Sequence, residues 1–376
     1  MTPEMVWTFW ISVAFIVYSM VGYAGCLWLL SLVRRKVVDR APMEPTVSIL
    51  IVVRGGERLI EAKLRNCLEQ DYPCEKVDIV VVCDGAAPET EAIVERYAAQ
   101  SVKLIRAPRQ GKNGCLALAL GATSGEMVVF TDAAVMMDSN ALCLMAENFA
   151  DPRVGCVSSE DATDGAGINA EPMYVEFDAR VRRLECAVGS MIASSGSLFA
   201  ARRAVCAPWP KRMSSDFFVP LNCIQAGYDV VVDIRVRGYL KTVKVSDEFF
   251  RKVRTIVHGI DVLFEYRGLL NPFRYGLRSW ELFSHKLCRW LLPLAFLGAL
   301  VSSAFLWSNG WVYQASCIAQ CVFYAAGAAA WLIPSRRTAL PLKVARFFVM
   351  SIAATGLAWV KFFSGEYYVT WEPSRR

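Results

Sequence analysis

Three carboxylates and a lysine are placed in this sequence where they could do chemistry. Asp84 closes the run Val82-Cys83-Asp84, and Asp132 closes Val128-Val129-Phe130-Thr131-Asp132. Both follow strand-forming residues, so both stand at the carboxyl end of a buried strand, where an open α/β sheet presents its ligand-binding groups. Lys112 follows Gly111 at the head of a helix-spaced run, and a helix start with an ammonium suits a phosphate. Asp216 follows Ser214-Ser215 at another helix start. It is a sound first-turn acid there, and it is also a candidate to take the proton of an attacking hydroxyl. Arg251, Arg254 and His258 recur at i, i+3 and i+7, one face of a helix that could meet an anion or an anionic lipid surface.

The elements that must position these groups are legible from periodicity. A nearly continuous apolar strand at 47–53, a second buried strand at 77–83, a short strand at 102–106 and the apolar run at 128–130 alternate with helix-spaced stretches at 59–70, 88–100 and 112–122. That alternation predicts a mostly parallel sheet with helices on both faces. Beyond residue 154 the spacing predicts strands at 155–159, 197–201 and 229–234. It also predicts a polar loop at 161–167 and helices at 171–191, 214–227 and 246–258, the last capped by Ser246.

Composition adds a membrane. Hydrophobic residues make up 55% of the 376 and mean hydropathy is +0.34, too apolar for a purely soluble chain. Residues 6–33 carry no charge, exceed the roughly 20 residues that span a bilayer, and are followed by Arg34-Arg35-Lys36. A secretory signal peptide fits poorly, because the run is too long and the basic residues follow it. The basic flank faces the cytoplasm. Residues 260–286 mix aromatics with arginines, the composition of an interfacial segment, with a break at Pro272. Apolar runs at 287–307, 311–333 and 344–364 then predict four spans in all, with the basic loop around Arg336 cytoplasmic. The division that follows is 1–38 anchor and flank, 39–245 cytoplasmic domain, 246–286 interfacial helices, 287–364 membrane helices and 365–376 tail.

Thirteen cysteines are scattered without a C-x-x-C pair or a zinc-spaced Cys/His cluster, as in a reducing compartment. His258 and His285 lack ligand-spaced partners and read as structural. Net charge is +6 and no basic-aromatic array points to nucleic acid.

Taken together, Val82-Cys83-Asp84-Gly85, Gly111-Lys112, Thr131-Asp132-Ala133, Gly196-Ser197, Ser215-Asp216-Phe217, Phe250-Arg251-Lys252-Val253-Arg254, Ser284-His285-Lys286-Leu287-Cys288-Arg289-Trp290 and Thr370-Trp371-Glu372-Pro373 resemble membrane-bound family 2 glycosyltransferases. The order and spacing of these pieces carry the likeness, which runs from Val47 to Arg376. It implies a GT-A fold, Rossmann-like, with transmembrane helices, in a bacterial inner membrane. It implies an inverting transfer from a nucleotide sugar, of UDP type, to a polyprenyl-linked or polysaccharide acceptor in cell-surface glycan assembly. By the same resemblance Asp84 would meet the uracil, and Lys112, Arg251 and Arg254 the diphosphate. Asp132 would hold Mg²⁺ or Mn²⁺, and Asp216 would be the base.

The chain departs from the family twice. Asp132-Ala133-Ala134 stands for the usual Asp-x-Asp, and Arg251 with Thr255 stands where Gln-x-x-Arg-Trp would begin and end. The second departure weighs against a processive synthase that secretes its product through the bundle, which stays the runner-up enzyme. The first motivates a catalytically inactive nucleotide-binding subunit as the alternative.

Overall fold

The computed structural model describes residues 3–55, 57–163, 170–210, 213–240, 248–333 and 338–366. The chain enters through helix α1 (Pro3–Val33), 31 residues and thus about 46 Å long, enough to cross a bilayer. It then builds an eight-stranded sheet in the order β3-β2-β1-β4-β7-β6-β8-β5. In its first half β1 (Val47–Val53), β2 (Val77–Asp84), β3 (Val102–Ala107) and β4 (Met127–Asp132) run parallel. Every side chain of β1 is buried, because neighbours flank it on both edges and helices cover both faces.

Alternation along β1 sorts the helices. Ile49 and Ile51 pack in one core with Ile60 and Leu64 of α2 (Glu57–Leu68) and Val94 of α3 (Pro88–Glu95). Leu50 and Val52 pack in the other with Cys115, Leu116 and Ala119 of α4 (Lys112–Gly121). Each such buried aliphatic side chain contributes roughly 1.5–3 kcal/mol.

The second half is mixed. β5 (Val135–Met137) and α5 (Ala141–Asn148) follow Asp132 at once, and neither was expected from the sequence. Three residues are too few to show a strand period. β6 (Val154–Thr163) runs through the start of the expected loop at 161–167, and 164–169 lie outside the described residues. Helix α6 (Ala170–Val188) leads to β7 (Leu198–Arg202), which is antiparallel to β4 and β6. Helix α7 (Ser215–Gln225) leads to β8 (Asp229–Leu240), which is twice the expected strand. β8 pairs β6 in parallel and β5 antiparallel.

Helix α8 (Glu248–Glu265) follows; its expected cap Ser246 lies outside the described residues. Pro272 opens a single turn, with Asn271 accepting from the Phe273 N–H at 3.0 Å, so the expected break is present. Gly276, at φ 55°, ends it. The chain finishes with α9 (Leu277–Phe305), α10 (Trp311–Ala329) and α11 (Leu340–Phe363). Among the described residues, three helices are long and apolar enough to cross a membrane: α1, α9 and α11. That is one fewer than the four spans expected. Gln314 and Gln320 lower the hydropathy of α10, which packs through Gly327 against Val349 of α11. The expected loop at Arg336 and the tail motif at Thr370 lie outside the described residues.

The membrane helices are bolted to the sheet domain by polar contacts. Tyr23 of α1 donates to Glu185 of α6 at 2.5 Å. The two ring nitrogens of His285 in α9 meet Glu185 at 2.7 Å and Asp178 at 3.1 Å. Arg289 donates to Asp178 at 2.5 Å. His285, read as structural, is 3% exposed at the centre of this network.

Elsewhere arginine forks hold buried carboxylates. Arg153 grips Asp151 through two nitrogens at 3.0 and 2.7 Å, and this holds the Asp151 carboxyl well below the usual range. A depressed folded pKa means the stability is present above the ordinary carboxylate pKa, near 4, and is lost as pH falls below it. The melting temperature is therefore expected to drop as pH goes from about 5 to 3. Arg153→Met should shrink that drop while lowering the neutral-pH value. An equal drop in both proteins would show that Asp151 does not carry it.

Candidate active site

The parallel half of the sheet brings its carboxyl ends to one edge. Val52 of β1 lies beside Asp132 of β4, and Val53 beside Cys83, the residue before Asp84. The functional groups collect there.

Asp132 is partly exposed at the end of β4, and its Oδ1 accepts from the Lys112 ammonium at 2.6 Å. The same ammonium lies 3.3 Å from the Gly196 carbonyl. Burial alone would lower the lysine's pKa. The Asp132 carboxylate outweighs it, with a smaller contribution from Asp216, and the ammonium is held charged. Asp216 stands in the first turn of α7 on the other side of Gly196. A Cβ added at Gly196 would come within 3.3 Å of Asp216 Oδ2, so only glycine leaves that carboxylate its present room. Ser194 fixes the turn from below, its N–H and hydroxyl donating to the Asp216 carbonyl at 2.9 and 3.0 Å. Ser214 caps no helix N–H; its hydroxyl donates to the Asp216 carboxylate instead. Lys112, Asp132 and Asp216 thus converge around one glycine, though 104 residues of sequence separate the first from the last.

Asp84 sits on the same edge but is 1% exposed. Its carboxylate accepts the backbone N–H of Gln110 at 2.7 Å and of Gly111 at 3.1 Å. It thereby holds the turn that launches α4, where Gly111 takes φ 88°. Asp84 sets the place of Lys112 through that turn.

Arg251 and Arg254 lie on α8, one exposed and the other half-buried. The helix packs through Val253, Val257 and Ile260 on Ala354 and Ala358 of α11, and also touches α7. The expected arginine face is therefore carried between α11 and α7, the helix that bears Asp216. If it meets the diphosphate, Arg251→Ala and Arg254→Ala should each weaken nucleotide affinity by roughly 1.5–3 kcal/mol, without unfolding the protein. Unchanged affinity with weaker vesicle association would assign the face to lipid.

Two positioning side chains escaped the sequence reading. Lys63 is fully buried, and its ammonium donates to the Val135 carbonyl at 2.6 Å, pinning the turn that follows Asp132. Burial pushes its pKa down, offset in part by Cys67 and Asp132. Its spacing from Ile60 and Cys67 puts it on the buried face of α2, which was the available signal. Trp209 stacks on Phe130, packs edge-on to Phe218 of α7, and donates to the Asn113 carbonyl at 3.0 Å. It ties the base helix to the lysine helix.

A divalent ion would need oxygen ligands here. Among the described residues no group of three His, Cys, Asp or Glu could hold one. Ala134, in place of a second carboxylate, is buried. Asp132 nonetheless fits as a single ligand: Lys112 engages Oδ1, and no described residue hydrogen-bonds Oδ2. One carboxylate with substrate phosphates and water is enough for Mg²⁺.

Comparison with known proteins agrees with this architecture. Residues 48–205 match the model of the family described as glycosyl transferase family 2. The fold matches the mannosyltransferase PcManGT of Pyrobaculum calidifontis, solved with GDP-Man and Mn²⁺, at a TM-score of 0.73 and 22% identity over 96% of this chain and 99% of that one. The fold is thus of GT-A type, with a mostly parallel sheet and flanking helices. The chain is also 22% identical to the beta-monoglucosyldiacylglycerol synthase of Trichormus variabilis over 275 residues, 68% of this chain and 58% of that protein. A synthase of the same description from Synechocystis is 22% identical over 326 residues, 80% and 67%. This chain spans about 58% of the length of the first of these relatives. Residues 48–205 thus form a glycosyltransferase family 2 domain.

Proposed function

We propose that this protein transfers one sugar, with inversion, from a nucleotide-sugar donor to a lipid-linked or polysaccharide acceptor at a bacterial inner membrane, within cell-surface glycan assembly. The convergence of Lys112, Asp132 and Asp216 around Gly196 carries the reading. The donor lies over the strand ends. Lys112 meets its diphosphate with a point charge, aided by the N–H groups at the head of α4. Arg251 and Arg254 add charge from α8. The acceptor hydroxyl approaches from the opposite side of the sugar, its proton passes to Asp216, and the oxygen attacks the anomeric carbon as the bond to the diphosphate breaks. Ser214 and Ser194 hold Asp216 for that approach. Asp132 Oδ2 would hold Mg²⁺ or Mn²⁺, which supplies positive charge to the departing diphosphate. The relatives named beta-monoglucosyldiacylglycerol synthase support a lipid acceptor, and the neighbour solved with GDP-Man supports a nucleotide-sugar donor.

The test is nucleotide release by the purified chain in lipid, over a panel of UDP- and GDP-sugars, with and without membrane lipid extract. Release should depend on one donor, rise with the extract, and vanish in excess chelator. With one protein carboxylate, half-saturation should need more Mg²⁺ than a two-carboxylate site does. Full turnover in chelator would remove the ion from Asp132. No release with any donor would favour the inactive-subunit alternative.

A further inference from the structure

The membrane side of Asp216 holds a group that the transfer reaction above does not use. Helix α9 contains one π-helical turn, Phe283–Leu287, and such turns often mark functional positions. Lys286 lies in it. Its ammonium sits 5.3 Å from the centre of the Phe217 ring, the residue after Asp216, within electrostatic reach of both Asp216 and Asp178. Lys286 makes no ion pair with a described residue. Arg289, the cation that acts on it, does: Arg289 and Arg182 both pair with Asp178. Asp178 also takes a ring nitrogen of His285, so one carboxylate already serves three side chains. The carboxylates within its electrostatic reach are Asp178, Glu185 and Asp216, and the first two are already engaged by Arg182, Arg289, His285 and Tyr23, so an ammonium partly withdrawn from water gains from an anion of its own.

The surroundings open toward lipid. Arg289 lies over the rings of Tyr174 and Phe177, and the Tyr174 ring touches Phe347 of the membrane helix α11 at 5.6 Å. Met173, Tyr174 and Val175 expose apolar surface in the same stretch of α6. A lipid held in the bilayer could bring its head group past these residues to Lys286 with a hydroxyl near Asp216. We propose that Lys286 is the anion contact of the acceptor site, and that the acceptor is a phosphate-bearing lipid rather than a neutral one. This rests on the transfer reading above. The phosphate could belong to a glycerophospholipid with a hydroxylated head group or to a polyprenyl phosphate that already carries a sugar; each supplies a phosphate for Lys286 and a hydroxyl for Asp216.

Binding to the full-length chain in a non-ionic detergent tests this without turnover. The probes are dihexanoylphosphatidate, geranylgeranyl phosphate and dihexanoylglycerol, read by calorimetry. At least one phosphate probe should bind roughly tenfold or more tightly than dihexanoylglycerol, the factor expected of a charge-assisted contact. Whichever does identifies the source. Lys286→Met should erase the preference and Lys286→Arg should keep it, both melting near the wild type. Equal affinity for dihexanoylglycerol overturns the proposal, as does a preference that survives in Lys286→Met. Loss of the transfer reading alone looks different: the phosphate preference persists, but no nucleotide sugar is turned over.

Discussion

Asp216→Asn is expected to lose about 10²–10⁴-fold in transfer rate, the range for removing a general base, while nucleotide affinity stays near the wild-type value. The amide keeps the shape of the carboxylate and can still accept from Ser214, so the first turn of α7 survives. It cannot take up the acceptor's proton. Donor affinity holds because Lys112, Asp132 and the α8 arginines are untouched. If Asp216 were merely a first-turn acid, Asn would turn over normally and Ala would cost stability. Transfer rate, nucleotide affinity and melting temperature for wild type, Asp216→Asn and Asp216→Ala separate these outcomes. A wild-type rate in Asp216→Asn would place the base elsewhere.

Asp84→Ala should be damaging in a different way. The buried carboxylate accepts two backbone N–H groups, and hydrogen bonds to a charged group are worth roughly 1.5–3 kcal/mol each. Without it the turn at Gly111 loses its anchor and Lys112 loses its place. The variant should melt several degrees lower, bind every nucleotide donor poorly and release no nucleotide. A uracil contact, the role expected from the resemblance, predicts a narrower effect: weaker binding of uridine donors, unchanged binding of guanosine ones, and a wild-type melting temperature. Calorimetry with UDP and GDP beside a melting curve decides between them.

Why the sequence showed one half of this fold and not the other is clear from particular strands. β1 and β4 are buried almost throughout and β2 over its second half, so their apolar runs and their ends are visible, while the edge strand β3 is marked by its length alone. β8 is less regular. Asp233 and Arg235 pair with each other inside it, and its register with β6 jumps from Asp233 to Arg237, so the apolar pattern stops at a bulge while the strand continues. β5 is too short to show a period. The site was legible as residue types but not as contacts. An aspartate before glycine looks like a turn, and the backbone N–H that Asp84 accepts lies 26 residues away, at Gln110. Lys63 looks solvated until its place on a buried helical face is counted. Lys286 lies inside a recognised run, but a π turn cannot be read from periodicity, so neither can the direction in which that lysine points.

The polar bolt through Glu185 also sets an order of events on the ribosome. Its first partner, Tyr23, is synthesised 162 residues earlier, and its second, His285, 100 residues later. At roughly 5–20 residues per second, those 100 residues take about 5–20 s. Through that interval α6 carries a carboxylate destined for full burial with only half of its company present. The sheet is already complete by then, since β8 ends at Leu240. The sheet domain can therefore fold, and α6 can meet Tyr23 of α1, before α9 exists, but the face of α6 that meets His285 stays uncovered until α9 is in place. A nascent chain stalled before residue 277 should thus expose α6 to proteases and chaperones, and release from them would report insertion of α9.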